Sequence, residues 1–168
     1  MSKNVKEFRA ALLTLSDKGA AGLRDDESGR VARDMLVEFC EVAHYLLLPD
    51  EKDQISQQLV AWCDAKNIDL ILTLGGTGLS PRDVTPEATQ VVLERTLPGM
   101  AEAMRAASLS KTPHAMISRA LVGTRGQTLI VNLPGSPKAV RENLAVLLPA
   151  LPHALRKLKG DPEDCGSQ

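Results

Sequence analysis

The segment Asp69-Leu70-Ile71-Leu72-Thr73-Leu74 runs straight into Gly75-Gly76-Thr77-Gly78-Leu79-Ser80-Pro81-Arg82-Asp83-Val84-Thr85-Pro86-Glu87-Ala88. The first six residues read as a short buried strand. Thr85-Pro86-Glu87-Ala88 reads as a helix start, with Thr85 as its N-cap and Pro86 at the first helical position. Between them, three glycines in four residues let the backbone turn sharply and leave its N–H groups open to close approach. Strand, glycine turn and helix start together make a place to hold a phosphate. A tight βα connection explains the glycines equally well. No Gly-Lys-Ser/Thr follows, so the turn is not a Walker A loop. It follows a third strand rather than a first, so it is not a dinucleotide fingerprint.

The rest of the chain fits an α/β reading. Phe8 to Leu15 is a first strand, apolar enough to be buried on both faces. A polar loop runs from Ser16 to Glu27. Ser28 is positioned to cap a helix that carries Val31, Met35, Leu36, Phe39 and Ala43 on one face. His44 to Leu48 reads as a second strand, ended by Pro49-Asp50. Glu51 to Lys66 reads as a helix that buries Ile55, Leu59, Trp62 and Cys63. This alternation predicts a parallel sheet with right-handed crossovers. In the second half, Thr85 to Arg95 and Pro98 to Leu109 read as helices. Ala120 to Arg125 and Thr128 to Leu133 read as an antiparallel pair around Gly126. Ser136, Pro137 and Lys138 open a last helix that buries Val140, Leu144, Leu147, Leu148 and Leu151. Residues 1–160 read as one domain, and 161–168 as a disordered tail.

Charge narrows the function. The 168 residues carry a net charge of -1, with the signs mixed along the chain, and only four aromatic residues. That argues against a nucleic-acid surface. No apolar run reaches membrane-spanning length and no hydrophobic signal region follows Met1, so the chain reads as soluble and cytoplasmic. Cys40 and Cys63 read as small core residues on helices, and Cys165 as a tail residue. His44, His114 and His153 make no zinc spacing, and no tightly bound transition metal is expected.

Ligands of parallel α/β sheets sit beyond the carboxyl ends of the strands. Ser16-Asp17, Asp50 and Gly75 to Asp83 each follow such an end, and Asn132 to Lys138 joins them if its strand is parallel to the first three. Each has a plain structural alternative. Ser16-Asp17 reads equally as a turn start. Asp50 reads equally as the N-cap of the helix after it. Asp83, left over once Thr85 caps the next helix, is a site carboxylate or a turn-stabilising aspartate. Arg82 pairs with Asp83 or is solvated. Lys138 opposes the helix dipole, which a bound anion or simple solvation would relieve. Asn132 ends a buried strand and needs a partner, backbone or ligand. Ser118 and Arg119 carry no reading of their own.

The glycine loop resembles that of the MogA/MoaB molybdopterin-binding family, in particular its molybdopterin adenylyltransferases. Leu13-Thr14-Leu15-Ser16-Asp17, Leu48-Pro49-Asp50-Glu51, Ile117-Ser118-Arg119 and Asn132-Leu133-Pro134-Gly135-Ser136-Pro137-Lys138-Ala139 resemble further family motifs. They stand in the family's order across roughly residues 8 to 160. The resemblance implies a three-layer α/β/α fold with a mostly parallel sheet and an antiparallel element in the C-terminal half. It implies transfer of AMP from ATP to molybdopterin with release of pyrophosphate. By resemblance, Asp50 and Asp83 are the functional aspartates, with Mg²⁺ at Asp50. Ser16, Asp17, Gly75, Gly76, Thr77, Gly78 and Ser80 would hold the nucleotide. Ser108, Ser118, Arg119, Asn132, Gly135, Ser136, Pro137 and Lys138 would hold the pterin side. A homotrimer and a downstream molybdenum-insertion partner are further family expectations. The alternatives are a binding-only or scaffold paralogue and a nucleotide pyrophosphatase of the competence-damage type.

Overall fold

Burial of almost every residue in the first strand dictates the architecture. In the computed structural model, which describes residues 6–162, strand β1 (Phe8–Leu15) is buried at every position except Arg9. A strand without a solvent face must be covered on both sides. It lies inside a six-stranded sheet of order β2-β1-β3-β6-β5-β4, built from β2 (Cys40–Leu48), β3 (Leu70–Leu74), β4 (Arg95–Thr96), β5 (Val122–Arg125) and β6 (Thr128–Leu133). β1, β2, β3 and β6 are mutually parallel, while β5 and β4 form the antiparallel part of the sheet at one edge. The expected α/β class, mostly parallel with an antiparallel C-terminal element, is the observed one.

A short helix α1 (Asp17–Ala20) follows β1, and longer helices cover both faces of the sheet. On one side α2 (Glu27–Leu36), α5 (Pro98–Leu109), α6 (Pro137–Leu147) and α7 (Leu151–Leu158) seal a core that includes Leu12, Leu72, Leu133 and Leu144. On the other, α3 (Lys52–Asp64) and α4 (Thr85–Gln90) pack over Leu13, Ile71 and Ile130. Neighbouring residues along one strand therefore feed opposite cores, as the two-residue strand period requires.

Register brings the loops at the strand ends together. Leu15 pairs with Leu48, Thr14 with Leu74, and Leu74 with Leu133. The segments that follow these strands therefore leave from one edge of the sheet. The chain steps from β1 to β2 on one side and then crosses back to β3 on the other. The carboxyl ends of β1 and β3 thus flank the topological switch point, where open α/β sheets bind ligands.

Several boundaries differ from the sequence reading. The helix expected to carry Phe39 and Ala43 stops at Leu36, and Cys40 opens β2 instead of lying on a helix. Positions four apart share a face in both a helix and a strand, so Phe39 and Ala43 satisfied the helical pattern without being helical. Asp26, not Ser28, caps α2 by accepting from the Gly29 N–H. Thr85 is not an N-cap. Val84 holds that place, and the Thr85 hydroxyl donates instead to the Gly75 carbonyl at 2.8 Å. The helix expected to reach Arg95 ends at Gln90, before the two-residue strand β4. The single helix expected after Ser136 is two, α6 and α7, because Pro149 offers no N–H to continue the ladder. The tail from residue 163 on, Cys165 included, lies outside the described residues.

Asn132 resolves in favour of the core. Its side chain is fully buried in β6, opposite Thr73. Its amide nitrogen donates to Thr73 Oγ1 at 2.8 Å and to Thr89 Oγ1 at 2.9 Å, and its oxygen accepts from Leu121 N at 3.1 Å. One side chain thus ties β3, α4 and the approach to β5. Asn132→Ala leaves the buried Thr73 and Thr89 hydroxyls and the Leu121 N–H without these partners. The expected loss is about 2–3 kcal/mol in urea unfolding, with the loop at the strand ends still formed.

Candidate functional site

The glycine loop holds its shape through its carbonyls. Gly75 O accepts from Thr85 Oγ1 and Gly76 O from Thr85 N at 3.1 Å. Thr77 O accepts from Arg119 N at 3.0 Å and Gly78 O from Arg119 Nε at 2.8 Å. Gly75 N donates to Leu133 O. No acceptor among the described residues takes the N–H groups of Gly76, Thr77 or Gly78. Four consecutive oxygens face protein donors while three consecutive N–H groups do not. That polarity is the one an anion requires.

Glycine is required at the bend. Gly75 and Gly76 have φ of 107° and 66°. A Cβ on Gly75 would lie 2.5 Å from the Leu15 carbonyl oxygen. One on Gly76 would collide with Thr85 Oγ1 and lie 3.0 Å from Asp50 Oδ1. One on Gly78 would lie 2.9 Å from Asp83 Oδ2. The loop therefore packs directly against both candidate aspartates.

Two cavities flank this loop. The larger, about 550 Å³, lies at the switch point and is lined by Ser16, Asp50, Gly75, Gly76, Asp83, Gly135, Ser136 and Pro137. Ser136 caps α6 through Ala139 N, so a helix N-terminus also opens on it. The smaller, about 250 Å³, is lined by Thr77, Gly78, Ser108, Ser118 and Pro134, with Ala101, Met104 and Ile117 making it more apolar. The Gly75–Gly78 loop and the Pro134–Pro137 turn form the partition between them, and Gly75 and Gly135 stand back to back.

The carboxylates have distinct environments. Asp50 and Asp17 exchange hydrogen bonds, each carboxylate accepting the other's backbone N–H at 3.0–3.1 Å. The Arg82 guanidinium forks onto Asp17 and reaches Glu51 at 2.8 Å. Arg82 therefore pairs with Asp17 and Glu51, not with Asp83. Its hydrogen bonds hold the Asp17 carboxyl below the usual carboxylate range, with the Asp50 N–H assisting. Burial raises the Asp50 carboxyl, and the charges of Asp17 and Asp83 raise it further. Asp50 does not cap α3: that position is Glu51, which makes no side-chain cap. Asp83 does stabilise its turn, with Oδ2 accepting Ser80 N at 2.8 Å.

The other expected site residues divide. Ser80 stays on the turn, and Asp17 sits behind Asp50. Lys138 is exposed, lines neither cavity and has no ion-pair partner among the described residues. Arg119 lines neither cavity but clamps the loop. Sequence reading missed the far wall of the larger cavity, made by Thr14, Arg24, Asp25, Asp26 and Ser28. Asp26 accepts from Thr14 Oγ1 at 2.6 Å and from Tyr45, and Ser28 Oγ donates to Gly135 O at 2.6 Å. Partial burial, and then the hydrogen bond to Asp26, push the Tyr45 phenol up to about 12. The only signal for this wall was an unplaced polar loop, which carries no motif. Among the described residues no cluster of three or more His, Cys, Asp or Glu could hold a metal, and no helix is long and apolar enough to cross a membrane.

These features define an open α/β protein whose sheet carries an anion-accepting glycine loop at its switch point, flanked by two cavities. The family model described as a probable molybdopterin binding domain matches residues 11–153. The chain belongs to that family. It is 40% identical to the molybdopterin adenylyltransferase of Helicobacter pylori strain J99, covering 94% of this chain and 91% of that protein. It is 44% identical to Dictyostelium discoideum gephyrin over 96% of this chain, and spans only 24% of gephyrin's length. Among solved structures, the molybdopterin biosynthesis enzyme MoaB of Thermus thermophilus superposes with a TM-score of 0.87 at 52% identity. That match covers 94% of this chain and 99% of MoaB.

The strained charge at Asp50 has a measurable signature. A carboxyl whose native pKa is raised binds its proton more tightly folded than unfolded, so stability falls as pH rises above the unfolded value of about 3.9. Asn can keep the acceptor for Asp17 N and removes the charge. Asp50→Asn is therefore expected to raise the thermal midpoint at pH 7, with the gain closing as pH falls below about 3.9. A midpoint difference independent of pH would assign Asp50 an uncharged structural role.

Proposed function

We infer that the protein transfers an adenylyl group from ATP to the terminal phosphate of molybdopterin, a step of molybdenum cofactor biosynthesis. The observation that carries the reading is the polarity of the glycine loop, four carbonyls engaged and three N–H groups turned outward, between two cavities of different character. The larger, polar cavity with its helix N-terminus suits a nucleotide's phosphates. The smaller, more apolar one suits a flat bicyclic pterin, with Ser108 and Ser118 on its wall. Relatives named for this activity, similar over nearly the whole chain, support the same assignment.

In this reaction a phosphate oxygen of molybdopterin attacks the α-phosphorus of ATP. A new P–O bond forms, the bond from that phosphorus to the oxygen bridging to the β-phosphorus breaks, and pyrophosphate leaves. The nucleophile is already an oxyanion near neutral pH, so no general base is needed. The difficulty is bringing anion to anion, and the residues answer it by positioning and charge. The Gly76, Thr77 and Gly78 N–H groups would hold phosphate oxygens without reorganising. Asp50 has Oδ2 on Asp17 N and Oδ1 directed at Gly76, with no donor for Oδ1 among the described residues. A carboxylate raised in pKa by burial and by like charges favours a cation beside it.

Mg²⁺ commonly takes one or two carboxylates together with substrate phosphates. Asp50, and Asp83 across the loop, fit that donor set, whereas a resident all-protein metal cage does not. Mg²⁺ would supply charge neutralisation there. Arg82 would keep Asp17 anionic and paired, so that Asp17 orients Asp50 without competing for the cation. The assignment extends to a homotrimer and a molybdenum-insertion partner on family grounds alone.

The direct test incubates the protein with molybdopterin, ATP and Mg²⁺ and follows adenylylated pterin and pyrophosphate. Formation of both is expected, and formation of neither would remove the assignment. Asp83→Asn keeps an oxygen for Ser80 N, so the turn persists while the charge is lost. Turnover in Asp50→Asn and in Asp83→Asn is expected to fall on the order of 100-fold or more with normal circular dichroism. Near wild-type turnover in either would return that residue to a structural role.

A further inference from the structure

Arg119 joins the walls of the two cavities, bonding to Thr77 and Gly78 on the smaller and to Asp83 on the larger. Its backbone N–H donates to Thr77 O, its Nε to Gly78 O, and its Nη2 to Asp83 O at 2.7 Å, while Nη1 pairs with Glu87. It thereby fixes both ends of the turn that presents Asp83 to the larger cavity. Its own segment is held in turn from the smaller cavity's wall. Arg105 on α5, a lining residue there, donates Nη1 to the carbonyls of Ala120 at 3.0 Å and Ser118 at 3.4 Å. The connection runs from α5, through residues 118–120, to the glycine turn and Asp83. The bonds from Arg105 to Ala120 and Ser118 and from Arg119 to Gly78 and Asp83 are charge-assisted hydrogen bonds to backbone carbonyls, and the Arg119 N–H adds a backbone bond to Thr77.

The planar fork explains why this must be arginine. Two carbonyls and a carboxylate, contributed by three different positions of the turn and α4, are met at once by donors in fixed relative geometry. An ammonium group has donors enough, but on a flexible stem that cannot hold the three acceptors apart.

We propose that Arg119 is a positioning residue that couples the two cavities, so that molybdopterin beside Ser118 sets the Gly78–Asp83 turn for the nucleotide. This replaces the expected direct contact of Arg119 with the pterin, and it rests on the function proposed above. Coupling of this kind is reciprocal: whatever factor one ligand imposes on the other's affinity is returned.

The test titrates the full-length protein with an ATP analogue carrying methylene between the α- and β-phosphorus atoms, with and without saturating molybdopterin. In the unaltered protein the analogue's affinity is expected to change about 5-fold or more when molybdopterin is bound. In Arg119→Lys that factor is expected to fall below about 2-fold. In the same variant kcat should drop on the order of 10- to 100-fold, with the KM for each substrate changed far less. Glu87→Gln removes one anchor of the fork and should reduce the coupling factor while the chain stays folded; it carries the test should Arg119→Lys fail to fold. Three results would overturn the proposal. One is independent binding of the two ligands in an otherwise active protein, which leaves the proposed function standing. Another is an unchanged coupling factor in the folded variants. The third is a selective loss of molybdopterin affinity in Arg119→Lys with coupling intact, which would make Arg119 a direct contact. Failure of the unaltered protein to bind either ligand would instead remove the function itself, and this coupling with it.

Discussion

The structure depends on how four backbone carbonyls are satisfied. A loop at the end of a buried strand has polar groups that must find partners. Here Thr85 takes the oxygens of Gly75 and Gly76, and Arg119 takes those of Thr77 and Gly78. With the oxygens committed to protein, the peptide planes are set, and the N–H groups of Gly76, Thr77 and Gly78 face the other way. The anion-accepting character of the loop follows from the donors behind it rather than from the glycines alone. The glycines make the conformation sterically possible; the threonine and the arginine make it the one adopted.

Around that loop the charges are arranged in opposition. Asp17 is stabilised as an anion by Arg82, while Asp50, a hydrogen bond away, is raised by burial and by its anionic neighbours. Two adjacent carboxylates are thus pushed in opposite directions, and under the proposed function Asp17 is the structural one and Asp50 the one that takes a cation. The charge on Asp50 is unfavourable for folding at neutral pH, and it is positioned where the sheet opens. The β1–β2 register, which sets Leu15 beside Leu48, holds Asp50 against the glycine loop despite that cost.

Much of this was legible in the chain. The buried first strand, the glycine loop, the antiparallel pair around Gly126 and the Ser136-Pro137 helix start were readable because each rests on a local rule. Apolar runs, turn glycines and caps depend on a few neighbouring residues. The misreadings occurred where a local rule had two outcomes. Phe39 and Ala43 fit helix and strand alike. Thr85 had the composition of an N-cap, yet it is the first residue of the helix and its hydroxyl donates to Gly75 O, ten residues back in the chain. Asn132 needed a partner, and the sequence offered no way to choose between a ligand and the two threonines that the fold brings to it.

By itself, then, the sequence determined the class of the fold, the strand that must be buried, the bend that must be glycine, and the set of polar motifs that leave the strand ends. Those follow from propensity, period and backbone sterics, which act within a few residues. Tertiary structure decided which of those motifs meet, and in what state. Parallel register set Leu15, Leu48, Leu74 and Leu133 side by side, so that Asp50 faces Gly76 and Asp83 lies across the loop. It sent Arg82 to Asp17 and Arg119 to the carbonyls of the turn, consigned Asn132 to the core, and left Lys138 in solvent. Pairings over tens of residues carry no local signature. They are settled by which donors and acceptors the packed sheet leaves within about 3 Å of one another.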